Sequence, residues 1–212
     1  MKKDFFATFC KRRSIGVACM LLLTMLPVYG KGGVEKDMGA YLFTFFNDPT
    51  HSLFMAVSYD GYTFTAVNEG QPVISGDSIA AQRGIRDPHI YRAPNGMFYI
   101  AMTDLHVFGK QRGLRDTQWE RDDKYGWGNN RGLVLMKSKD LIHWTHTEVF
   151  VNETFPENFG ELGCAWAPQT IWDPAVEKPM VYFTIRQHPG GRTKLYYSYD
   201  NEEFTALETE PP

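Results

Sequence analysis

Cysteine is scarce in this sequence of 212 residues. There are 3, and Cys10 and Cys19 both fall within the first thirty positions, so Cys164 is left alone and a disulfide framework is excluded. A lone cysteine among apolar neighbours is ordinarily a small buried hydrophobe. Long apolar runs are equally few. The main one, Ser14 to Pro27 (SIGVACMLLLTMLP), stops about four residues short of the roughly eighteen that a membrane-spanning helix needs. Lys11-Arg12-Arg13 precedes it, and Val28-Tyr29-Gly30 follows with small residues at alternate positions that suit a signal peptidase. Residues 1–30 therefore read as a cleaved export signal. Residues 31–212 read as a periplasmic or secreted domain with no membrane span. Cys19 lies early in the apolar run, whereas a lipid-attachment cysteine would close it. Net positive charge is lacking too: the chain carries a formal −3, and the five cations against Asp4 in the first thirty residues leave −7 on the remainder. An acidic body argues against nucleic acid as a partner. Zinc-ligand spacing, a Gly-rich phosphate loop and a nucleophilic serine elbow are all missing.

Aromatic residues, at 15%, are plentiful. Beyond Gly39-Ala40 the apolar residues come in short runs rich in Tyr, Phe, Val, Ile and Thr, divided by Gly, Asn, Asp and Pro, with almost no helical spacing. The pattern predicts an all-β body with strands at 41–46, 53–59, 62–67, 89–93, 97–103, 132–138, 143–150, 169–173, 179–185, 193–199 and 203–207. A repeat narrows the architecture. Ser58 to Phe64, Ser138 to Trp144 and Ser198 to Phe204 share S-x-D-x-x-x-aromatic, each where one strand turns into the next, with the Asp placed to accept turn amides. Each full unit reads strand, hairpin, strand, loop, strand, S-x-D turn, strand, which is the plan of a propeller blade. Residues 87–150 and 166–207 make two whole blades by this count, and 41–67 supply three strands with no first strand ahead of them. A propeller needs at least four blades. The chain thus reads as a β-propeller truncated to about two and a half blades.

Asp-Pro occurs three times. Asp48-Pro49 and Asp173-Pro174 sit in hairpin connections, where both residues are ordinary turn formers. Asp87-Pro88 instead follows the Gly-containing loop GDSIAAQRG and opens the first strand of a blade, the strand nearest the propeller axis. A carboxylate there faces the central funnel, and the flanking Arg86 is expected to hold it ionised.

The run Gly84-Ile85-Arg86-Asp87-Pro88-His89-Ile90, followed by Gly96-Met97-Phe98-Tyr99-Ile100 and Thr103-Asp104-Leu105, resembles the first blade of glycoside hydrolase family 43. Ala165-Trp166-Ala167-Pro168-Gln169 is similar to that family's W-A-P motif, and Ser138 to Trp144 matches its S-x-D-L-x-x-W turn. The resemblance spans roughly residues 40–212. It implies a five-bladed β-propeller that hydrolyses arabinose- and xylose-containing polysaccharides with inversion, and it makes Asp87 the general base. The family's other two carboxylates, an Asp that tunes the acid and the Glu acid itself, come from later blades and have no match here. Position 169, acidic in many relatives, is Gln169. The resemblance allows an axial calcium ion, but no ligand set for one is visible in the sequence, and no other cofactor is implied.

Residues 105–131 form a long loop in which Trp119, Tyr125 and Trp127 stand among charges, and flat aromatic walls beside polar groups suit sugars. His106 is expected to line the pocket beside Asp104. The expected substrate contacts around Asp87 are therefore Arg86, Asp104, His106, Trp127, Trp166 and Gln169. Glu153, Glu157 and Glu161, in the loop between blades, read as a solvated acidic stretch rather than a replacement acid. The expected function is that of an exported glycosidase lacking its general acid, with a non-catalytic carbohydrate-binding remnant as the alternative. A sialidase-like propeller fits less well. Its S-x-D boxes place the aromatic seven residues after Ser, whereas here Phe64, Trp144 and Phe204 come six after it.

Overall fold

The computed structural model describes residues 39–114, 130–187, 191–201 and 203–209, so the expected export signal and Trp119, Tyr125 and Trp127 lie outside the described residues. The described residues are all-β and form three antiparallel sheets. β1 (Tyr41–Phe45), β2 (Phe54–Ser58) and β3 (Thr65–Ala66) make the first. β4 (Ile85–Arg92), β5 (Phe98–Asp104), β6 (Gly132–Ser138) and β7 (Thr145–Phe150) make the second. β8 (Cys164–Asp173), β9 (Lys178–Arg186) and β10 (Lys194–Tyr199) make the third.

Strand composition follows from which faces are covered. β5 is apolar almost throughout because the second sheet is buried on both sides. Ile100 and Met102 join Leu53, Met55, Val134 and Met136 in a core against the first sheet, while Tyr99 and Ala101 join Leu133, Val181, Phe183 and Ile185 against the third. β9 alternates strictly between buried and half-buried residues, since one face of the third sheet is covered. This is the face-to-face packing of successive blades in a β-propeller. Cys164 is buried, and burial pushes its thiol up to about 11, so it is an inert core residue.

Two of the S-x-D turns have identical wiring. Ser58 Oγ accepts the amides of Asp60 and Gly61 and donates to Asp60 Oδ1, which accepts the amides of Tyr62 and Thr63. Ser138 and Asp140 repeat this with Leu141, Ile142 and His143. The amides hold the Asp60 carboxyl well below the usual carboxylate range, and at Asp140 the His143 side chain does so first, with the amides adding to it.

The third copy departs from expectation. Residues 203–207 form no strand, only an isolated bridge between Asp200 and Leu207. The chain curls inward there so that Phe204, 1% exposed, meets the edge of the Tyr99 ring with centroids 4.8 Å apart. An aromatic buried in this way outweighs the ladder bonds of an edge strand. The second correction concerns 151–159. The expected loop contains two single-turn helices, α1 (Val151–Thr154) and α2 (Pro156–Phe159). Val151, Phe155 and Phe159, four apart, pack on the core while Glu153 and Glu157 stay outside, a short helical spacing that the acidic residues disguise.

Candidate active site

β4 and β8 both begin earlier than the sequence pattern predicts, and for one reason. Each runs through an X-Pro step by way of a bulge, where the register jumps between Arg86 and His89 and between Trp166 and Gln169. Proline cannot donate to the ladder, and a bulge removes that requirement. The residue before each proline takes a left-handed backbone, with φ 53° at Asp87 and 47° at Ala167. Such a conformation is costly for a residue with a side chain and sits where the surrounding structure imposes it. The two blades therefore superpose residue on residue: Arg86-Asp87-Pro88 faces Thr103 of β5, and Trp166-Ala167-Pro168 faces Thr184 of β9. Asp87 is exposed, and its structural twin in the next blade is an alanine.

The Asp87 carboxylate has a hydroxyl partner. Thr103 Oγ1 donates to Asp87 Oδ2 at 3.0 Å and accepts the Ala167 amide at 2.9 Å. Thr103 itself is 0% exposed, so this linkage lies beneath the carboxylate. A second tie joins β4 directly to β8, with the Thr170 amide donating to Nδ1 of His89 at 3.2 Å. Burial lowers the pKa of His89, in keeping with a neutral ring that accepts there.

Arg86 does not serve Asp87 as expected. Its Nη1 pairs with Asp48 Oδ1 at 2.9 Å, and its guanidinium lies 4.5 Å from the centroid of the Phe46 ring. The bulge sends successive side chains to different neighbours, Arg86 to Asp48 and Phe46 and Asp87 to Thr103. Arg86 also reaches Nε2 of His51 at 3.3 Å, an atom that accepts the Val107 amide at 3.4 Å as well. Two donors at Nε2 place the His51 proton on Nδ1. His51 is 0% exposed and its pKa falls to about 4, from burial first and then from the charges of His106 and Arg86.

His106, expected in the pocket wall, is buried and stacks on His51 with ring centroids 4.0 Å apart. Asp104 is also interior, where Oδ1 accepts the Gln82 amide at 2.8 Å. Both support the strand ends rather than an open surface. Trp166 is half-buried, with Nε1 donating to Asn130 Oδ1, and Gln169 is exposed and accepts from the Tyr182 hydroxyl. Trp127 lies outside the described residues. The structure thus brings Asp87, Thr103, Ala167 and the Arg86 cluster together at the entrances of β4 and β8. Asp48, His51 and Thr103 have places in it that sequence reasoning missed. The available signal was the density of polar residues in FFNDPTHS, a segment too rich for a plain hairpin turn.

The profile of a family described as a probable glycosyl hydrolase domain, related to glycoside hydrolase family 43, matches residues 36–211. The chain belongs to this family. An α-L-arabinofuranosidase of Bifidobacterium longum subsp. longum is 29% identical over 133 residues, covering 60% of this chain and 11% of that protein. An α-L-arabinofuranosidase from Lactobacillus brevis has 14% identity and a TM-score of 0.53, covering 82% of this chain and 49% of that one. An exo-1,5-α-L-arabinanase from a bovine ruminal metagenomic library has 16% identity and a TM-score of 0.50, with 83% and 50% covered. At these identities the structural likeness concerns the fold. The chain spans about a tenth of the curated relative and about half of each of these structures.

For this family-43-related domain the axial calcium allowed by the resemblance can be tested against the donors present. Among the described residues no three His, Cys, Asp or Glu side chains come together in a way that would hold a metal ion, and no step is derived through one. No helix among the described residues is long and apolar enough to cross a membrane.

Proposed function

We propose that this glycosyl hydrolase domain acts, outside the cytoplasm, on arabinose- or xylose-containing plant polysaccharides or oligosaccharides by inversion, with Asp87 as the general base. The observation that carries the reading is the Asp87 carboxylate itself. It is exposed at a bulge on the first strand of a blade, and one oxygen is tethered by Thr103. With Oδ2 engaged, Oδ1 is the oxygen that takes a proton from water as the water attacks the anomeric carbon. An inverting glycosidase pairs such a base with an acid about 6.5–9.5 Å away, which protonates the leaving oxygen from the opposite side. No residue of this sequence matches the family's acid or its tuning carboxylate, which in the family belong to later blades. The relatives named for arabinofuranosidase and arabinanase activity favour arabinose among the two sugars. Residues 1–30 support export.

The test is turnover of an aryl α-L-arabinofuranoside, with the anomer of the product read by NMR. Asp87→Asn is expected to reduce kcat by roughly a hundredfold or more, and the first-formed sugar is expected to carry inverted configuration. Unchanged turnover in Asp87→Asn would remove the base assignment. A second reading, carbohydrate binding without hydrolysis, draws on Ala167 and Gln169 standing where carboxylates could have served. Oligosaccharide affinity without any turnover would select it.

A further inference from the structure

We propose that Thr103 is a positioning residue that fixes the Asp87 carboxylate in its working rotamer and couples it to the neighbouring blade. The inference rests on the reading of Asp87 as the base and adds to it the group that aims it. A hydroxyl has one proton and can ordinarily rotate among several acceptors. Thr103 cannot do so freely. Its oxygen receives the Ala167 amide at 2.9 Å, and its proton is thereby directed at Asp87 Oδ2, 3.0 Å away. Thr103 is 0% exposed, so water does not reach its hydroxyl. A hydrogen bond to a charged acceptor is about twice as strong as a neutral one, and here it acts on a residue that is otherwise exposed and free to rotate.

The repeat supplies an internal comparison. Thr103 lies opposite Arg86 in the β4/β5 register, and Thr184 lies opposite Trp166 in the β8/β9 register, so the two threonines occupy corresponding places one blade apart. The residue one step on from the paired position is Asp87 in one blade and Ala167 in the other, and both take a left-handed backbone. The threonine recurs in both blades, whereas only the first has a carboxylate for it to orient. The amide of Ala167 is free to reach Thr103 because the bulge takes it out of the β8/β9 ladder. The third sheet thus contributes a backbone donor to the setting of a side chain on the second.

The experiment uses the full chain and the variants Thr103→Val, Thr103→Ser and Thr184→Val. Three-bond couplings from the backbone nitrogen and carbonyl carbon to the Asp87 carboxyl carbon report its χ1 populations without depending on turnover. One rotamer is expected in the wild type, in Thr103→Ser and in Thr184→Val, and averaged couplings are expected in Thr103→Val, whose shape is nearly unchanged. On an aryl α-L-arabinofuranoside, Thr103→Val is expected to lower kcat by roughly ten- to hundredfold with KM unchanged, and Thr103→Ser to restore most of it. Unaveraged Asp87 couplings in a folded Thr103→Val protein would overturn the proposal. So would a kcat loss that Thr103→Ser fails to restore while its couplings match the wild type. Averaged couplings together with full turnover in Asp87→Asn would leave the tether standing and remove the base assignment instead, so the two failures are distinct.

Discussion

Arg86 Nη1 lies 2.9 Å from Asp48 Oδ1, which commits the cation beside Asp87 to the connection between β1 and β2 and leaves the carboxylate to a hydroxyl. Asp48 is well exposed, with 61% of its side-chain surface accessible, so solvent screens much of the pair. Asp48→Ala is expected to cost only about 0.5–1 kcal/mol of unfolding free energy. Arg86→Ala should cost more, because it also removes the packing over Phe46 and the donor to His51. Urea denaturation of both single variants and the double variant measures the coupling. A value near zero would mean that the pair contributes no net stability.

Gly84 is tightly enclosed beneath the site. A Cβ there would lie 2.7 Å from the Cβ atoms of both His51 and His106, two buried residues that stack on each other and have no flexible end to move aside. Gly84→Ala is expected to destabilise the domain by about 1–3 kcal/mol. It should also part the rings, which the imidazole proton shifts of the two histidines would report.

Two buried groups give the stability opposite pH dependences. His51, lowered to about 4 from 6.5, takes up its proton more readily when unfolded, so its contribution is present above 6.5 and is lost as pH falls toward 4. His89, lowered by burial, adds to the same trend. Asp200 is 0% exposed and burial pushes it up to about 7, so it favours the folded state when protonated and that contribution is lost as pH rises through 7. Over the shared window the two slopes oppose each other. Asp200→Asn, which keeps the acceptor for the Ala206 amide, is expected to raise Tm above pH 7 and to uncover a stability that climbs from pH 4 to 6.5. Melting curves across that range check both signs, and a flat profile in Asp200→Asn would contradict the assignment to His51.

Much of the fold follows from short-range chemistry and is legible without coordinates. Strands come from β-branched and aromatic runs cut by turn formers, and the wiring of the first two S-x-D turns stays within five residues of the serine. For the same reason the Asp-Pro step of the site stood out, since a proline opening a strand signals a break in the ladder. Where such reading failed, a distant partner decided the outcome. Residues 203–207 gave up a strand because Tyr99 offered Phe204 a buried contact, and Arg86 left Asp87 because Asp48 was presented from the connection between β1 and β2.

The sequence by itself determined the all-β class, the blade repeat, the family resemblance and the exposed Asp87 at the head of a first strand. Only the tertiary structure decided what holds that carboxylate. The Arg86–Asp48 pair joins residues 38 positions apart and the Ala167–Thr103 bond residues 64 apart. Neither distance has a periodicity to reveal it. Each contact depends on how a bulge turns a side chain and on how one sheet is laid against the next, and those are properties of packed blades rather than of any one strand.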